Sequence, residues 1–230
     1  MKKIVIRIML IVTCLLLTGC GKQDNVIEER NIVGGWDIDV PIKQLVIPDN
    51  IKDVFDRATS NYDKMTLTPI SLIGKQIVAG TNYMFLCKGE DSKTTKWVLV
   101  TIYLDPSNNA EIKNVKYLNL NKYVNVDSEY NYTQTIGGWS VYKDIVPNID
   151  TNIEEVFNKA TADNEKYYYV PIALLGEQIV AGTNYAVLAL GQSLENPDIY
   201  SINILTIYSK LDGTAELTSS SYIPLGQYSN

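Results

Sequence analysis

Histidine, the side chain best suited to moving protons near neutral pH, does not occur anywhere in this sequence. Ser-His-Asp and Cys-His nucleophilic catalysis are therefore excluded, and so is any imidazole metal site. Only three cysteines are present, and two of them, Cys14 and Cys20, fall within the first 20 residues. That number and placement suit neither a zinc knot nor a disulfide framework. The acidic pairs Glu28-Glu29 and Asp53/Asp56 read as solvated faces rather than as matched catalytic carboxylates. What remains are residues suited to binding rather than reacting. The block Gln76-Ile77-Val78-Ala79-Gly80 recurs unchanged as Gln178-Ile179-Val180-Ala181-Gly182. Apolar, strand-forming residues running into a glycine make a tight hairpin tip, because glycine adopts positive φ without steric cost. The sequence thus points away from an enzyme, and no cofactor or metal is expected.

The start of the chain has a separate chemistry. Lys2, Lys3 and Arg7 precede the apolar run Ile8 to Leu17. The run is too short for a comfortable membrane span, which takes roughly 20 apolar residues. It ends in Leu17-Thr18-Gly19-Cys20, which resembles the signal of bacterial lipoproteins. The resemblance implies cleavage after residue 19, acylation of Cys20 and a lipid anchor facing outside the cytoplasm. Without the three basic residues of the signal, 17 basic side chains face 26 acidic ones, a charge of −9. A chain this acidic has no electrostatic footprint for nucleic acid. Residues 20–32 are polar and read as a tether.

The elements that must position the repeated block are themselves repeated. Val33-Gly34-Gly35-Trp36 returns as Ile136-Gly137-Gly138-Trp139, and Pro69-Ile70-x-Leu72-x-Gly74 as Pro171-Ile172-x-Leu174-x-Gly176. Between Lys52–Tyr83 and Glu154–Tyr185, 17 of 32 positions are identical without a gap. A period near 100 residues suits two small tandem domains. The expected organisation is a signal over 1–19, the tether, a first domain over 33–123, a linker over 124–135 and a second domain over 136–230. In each copy, Ile51, Val54, Phe55, Ala58 and their counterparts Ile153, Val156, Phe157, Ala160 mark one face of a helix. Thr151 with Glu154 suggests a capping box. Strand-like runs follow at 68–78, 82–87, 97–104 and 112–120, and extra residues near Ser193 to Asp198 suggest a longer hairpin loop. Tyr 16 against Phe 3 favours sheets with one wet face. One helix followed by hairpin-linked strands predicts an α+β domain, an antiparallel sheet covered by its helix.

The block at Gln76 and Gln178, each followed by Thr-Asn-Tyr, resembles the Gln-x-Val-x-Gly loop of cystatins, the inhibitors of papain-like cysteine proteases. The other landmarks fall in the same order across nearly all of both repeats: a glycine pair, a strand, a helix, then the loop between two strands. The resemblance implies two cystatin-like domains, each an antiparallel sheet wrapped around one helix. It also implies a three-part wedge that plugs a protease cleft. Gly34-Gly35 and Gly137-Gly138 would bend the N-terminal segment, the Gln-to-Gly blocks would form the first hairpin, and Pro106, Ser107 and Asn108 or Leu211, Asp212 and Gly213 the second. Neither second hairpin carries the tryptophan that many family members place there. Gln76 and Gln178 would either brace the loop or meet the enzyme. The first copy ranks ahead through its free tether. A reversible, monomeric inhibitor is expected, and the alternative is a non-inhibitory surface binding module. Trp36 and Trp139 are expected to pack on the helices.

Overall fold

The computed structural model describes residues 36–37, 47–120, 139–141 and 149–228. The signal segment with Cys20, the tether, the linker and the glycine pairs Gly34-Gly35 and Gly137-Gly138 lie outside the described residues. The first repeat comprises β1 (Trp36–Asp37), α1 (Asp49–Thr59), β2 (Thr66–Val78), β3 (Gly80–Glu90), β4 (Thr95–Leu104) and β5 (Ala110–Tyr117). The second comprises β6 (Trp139–Val141), α2 (Thr151–Thr161), β7 (Tyr167–Val180), β8 (Gly182–Ser193), β9 (Tyr200–Ser209) and β10 (Ala215–Tyr222). A short 3-10 turn, Leu225–Tyr228, follows. Each repeat forms a five-stranded antiparallel sheet in simple meander order, β1 to β5 and β6 to β10. No helix among the described residues is long and apolar enough to cross a membrane.

The sequence-based picture of two helix-wrapped α+β domains is overturned. The molecule is mostly antiparallel strand, and each helix spans only 11 residues on one face of its sheet. The opposite faces of the two sheets pack on one another within one compact unit, Asn31–Asn230. Met84, Leu86, Leu99 and Leu120 of the first repeat share a core with Leu175, Leu188, Ile202 and Leu225 of the second. The alternate residues turn the other way. Phe85, Cys87, Val98 and Val100 meet Val54 and Phe55 of α1, while Val187, Ala189, Leu205 and Ile207 meet Phe157 of α2. Trp97 to Ile102 and Ile202 to Leu205 are therefore buried at every position, with apolar partners on both faces. Such strands read as near-continuous apolar runs, interrupted here only by Thr101 and Asn203, rather than as alternation. The expectation of one wet face per sheet fails for the same reason.

Repeated bulges feed the shared core. The ladder between β2 and β3 slips at Pro69/Ser71 and at Leu72/Gly74, and that between β7 and β8 at Pro171/Ala173 and Leu174/Gly176. Proline has no N–H to donate, so a long paired strand must interrupt its ladder there. The skipped residues, Ile70, Ile73, Ile172 and Leu175, all enter the core between the sheets. Leu175 has a second use, because the indole Nε1 of Trp97 donates to its carbonyl at 2.8 Å across the interface. Thr101 Oγ1 likewise donates to the Tyr228 carbonyl at 3.1 Å, so the end of one repeat is tied to the sheet of the other. Trp36 packs against this shared core and not on the helix. The α2 cap is also displaced by one residue: Asp150 is the N-cap, and its carboxylate accepts from Asn152 N at 2.7 Å. The aspartate carries a stronger acceptor at the start of the helix than the threonine beside it.

Candidate binding site at the hairpin tips

The strand register gathers the two hairpins of each predicted site at one end of its sheet, with the first described residue after each glycine pair, Trp36 or Trp139, paired beside the first hairpin. In the first repeat Trp36 pairs with Gln76, Val78 with Gly80, and Thr81 with Leu104, which in turn faces Ala110. The Gln-to-Gly block therefore makes the β2–β3 tip, beside the β4–β5 turn that holds Pro106, Ser107 and Asn108. In the second repeat Trp139 pairs with Gln178, Val180 with Gly182, and Thr183 with Ser209, which faces Ala215. The tips are apolar and open. Val78, Ala79, Ile179, Val180 and Ala181 are exposed, and Ile77 is half-buried.

Two side-chain hydrogen bonds and one positive-φ glycine shape each first hairpin, and all recur in both copies. The amide of Asn82 donates to the Gln76 side-chain oxygen at 2.7 Å, and Asn184 donates to Gln178 at the same distance. The glutamines thus brace the loop from within. The Tyr103 hydroxyl donates to the Ala79 carbonyl at 2.6 Å, matched by Tyr208 to Ala181 at 2.6 Å. Gly80 and Gly182 adopt φ of +140° and +133°. A Cβ on Gly80 would stand 2.5 Å from the Leu104 carbonyl oxygen and 2.7 Å from the Tyr103 ring; on Gly182 it would stand 2.4 Å from the Ser209 oxygen. The glycine is therefore required by the protein's own neighbouring strand, whatever else meets the tip.

The second hairpins share one frame with different surfaces. Asp105 N donates to Asn109 O and Asn108 N to Asp105 O, while Lys210 N donates to Thr214 O and Gly213 N to Lys210 O. The left-handed position is Asn108 (φ 67°) in one copy and Gly213 (φ 83°) in the other, two residue types that tolerate it. Asp105 accepts from the Asn109 side chain and amide, and Asp212 accepts from the Thr214 hydroxyl and amide. Those bonds hold both carboxyls below the ordinary aspartate value. A basic side chain from each helix meets the same carbonyl: Arg57 donates to Asn108 O at 2.7 Å and Lys159 to Gly213 O at 3.5 Å. The register aligns Pro106 with Leu211, and Leu211 is 86 % exposed.

Cys87 is fully buried beneath α1, and burial pushes its thiol well above the usual range. Among the described residues no group of three Cys, Asp or Glu side chains is placed to hold a metal ion. The asparagine and tyrosine braces escaped the sequence reading although both recur: Thr-Asn-Tyr follows each glycine, and Thr101-Ile102-Tyr103 returns as Thr206-Ile207-Tyr208. No protein-family model matches the chain, and no curated protein matches it.

Proposed function

We propose that the chain is a reversible inhibitor of papain-like cysteine proteases, held at a bacterial cell surface by lipid on Cys20. The reading rests on the resemblance of the two Gln-to-Gly loops to those of the cystatin family, not on the architecture of the sheets. The observation that carries it is the twice-built tip: exposed apolar residues on a turn held by the same side-chain contacts in both copies. Exposed apolar side chains on a rigid turn lose little conformational freedom on docking and bury apolar area in a cleft. Inhibition of this kind needs no nucleophile, base or metal, in keeping with a sequence that lacks histidine. Ile179, Val180 and Leu211 give the second copy the larger apolar surface, so it is the stronger head in this reading, reversing the order suggested by the free tether.

The test is titration of papain with the chain from Gly21 on, which keeps the whole compact unit Asn31–Asn230. Inhibition that disappears in an Ala79→Glu plus Ala181→Glu variant supports the wedge. A folded wild type without effect on papain removes this reading and leaves the surface binding module. Membrane retention that survives Cys20→Ser contradicts the anchor.

A further inference from the structure

Each first hairpin contains a device that the repeated loop sequence alone does not announce. Tyr103 lies on β4, one strand beyond the hairpin, yet its hydroxyl crosses to the turn and donates to the Ala79 carbonyl at 2.6 Å. The ring reaches that position because residue 80 is glycine; a Cβ there would lie 2.7 Å from ring carbon Cε2 and 2.9 Å from the hydroxyl. The second copy repeats the arrangement, with Tyr208 donating to Ala181 O at 2.6 Å and its ring 2.8 Å from a Cβ on Gly182. In both copies the glycine is the slot and the tyrosine is the bolt.

We infer that Tyr103 and Tyr208 are positioning residues that lock the Ala79–Gly80 and Ala181–Gly182 peptides, and so fix the apolar tips for docking; this rests on the inhibitory reading above. A glycine at positive φ leaves the peptide before it with few steric restraints, so an unlatched turn rotates among several orientations. The phenol bond selects one of them, and with it the directions of Val78 and Ala79. Ordering a flexible turn at the moment of binding lowers affinity, whereas a turn already ordered does not carry that cost. The phenol occupies one of the two lone pairs of that carbonyl.

The test is Tyr103→Phe with Tyr208→Phe, which keeps both rings in their slots and removes only the hydroxyls. Tyr168→Phe, on an exposed strand position away from the tips, is the control. Loss of one net hydrogen bond per tip is expected to raise amide exchange at Gly80, Thr81, Gly182 and Thr183 by roughly five- to tenfold. The inhibition constant for papain is expected to rise by a similar factor, while the global unfolding midpoint falls no more than the lost bonds require. Unchanged exchange at the tips overturns the latch. Faster exchange with unchanged inhibition overturns its role in positioning. If the wild type leaves papain active, the inhibitory reading has failed on its own, and exchange alone decides whether the phenols hold the turns.

Discussion

The two copies agree closely at the first hairpin and part company at the second. Glutamine-asparagine clasp, tyrosine hydroxyl and positive-φ glycine recur with nearly the same distances. One hairpin further on, a polar turn with Pro106 and Asn108 stands where the other copy shows Leu211, although both turns share one backbone frame and a basic brace from the helix. The difference teaches that the frame and the surface are separable: a braced turn can exchange Pro106 for Leu211, and one carboxylate brace for another, without changing its backbone hydrogen bonds. In the first hairpin they are not separable, because the glycine, the tyrosine and the turn interlock.

Breaking the tie between the copies should have the largest effect. Residues 33–123 alone would expose Met84, Leu86 and Leu99, which lie in the core between the sheets, and are expected to give no stable monomer by circular dichroism and denaturant titration. The intact chain should unfold in a single transition; two separable transitions would break the picture of a shared core. Next in size are Leu86→Ala and Leu188→Ala, equivalent positions that are both fully buried, each expected to cost about 2–5 kcal/mol in chemical denaturation. A marked inequality between them would show that one sheet relaxes around its cavity and the other does not.

Gly80→Ala and Gly182→Ala test whether the first hairpins are equivalent. Each combines a left-handed backbone with a Cβ pushed against a strand carbonyl, so each should cost about 1–3 kcal/mol in the same assay. A neutral result at either position would mean that its turn can rearrange. The second hairpins should instead differ. Leu211→Ser is expected to weaken papain inhibition by roughly tenfold, about 1.4 kcal/mol, with stability almost unchanged, whereas Pro106→Ser should move inhibition little. Equal effects would contradict the assignment of the larger apolar surface to the second copy.

The smallest expected effect is acid weakening of the second turns. Asp105 and Asp212 titrate below the unfolded value of 3.8, so their contribution is present above that pH and lost as pH falls through the lower folded value. Amide exchange at Asn109 and Thr214 should rise only in that acid window. In the Asp105→Asn and Asp212→Asn variants the corresponding acid-dependent increase should vanish.

The elements were legible in the sequence, but the architecture they build was not. The duplication, both helices and all four long strands of each copy follow from periodicity and turn residues; pairing starts or ends a few positions beyond the apolar stretch in β3 and β4 and stops short of it at Tyr117 in β5. The stacking of the sheets nonetheless leaves its mark on the sequence. Trp97-Val98-Leu99-Val100 and Ile202 with Ile204-Leu205 are too continuously apolar for strands with one wet face, and a repeated proline inside a long strand signals a bulge. Within a single copy the helix is the one partner available to cover the sheet; the second partner exists only once the two copies pair. At the site, the tips were visible as sequence. The residues that brace them were not, since hydrogen bonding across a strand depends on register, and Tyr103 lies more than twenty positions from Ala79.

The most direct measurement is inhibition of papain by four proteins: wild type, Val78→Asp, Val180→Asp and the double variant. Each aspartate places a charge on an exposed apolar tip and leaves the clasp and latch intact. Reversible inhibition that each single variant reduces, more so at Val180, and that the double variant abolishes, is the predicted result. A folded wild type that leaves papain fully active, or a double variant that inhibits as well as the wild type, would contradict it.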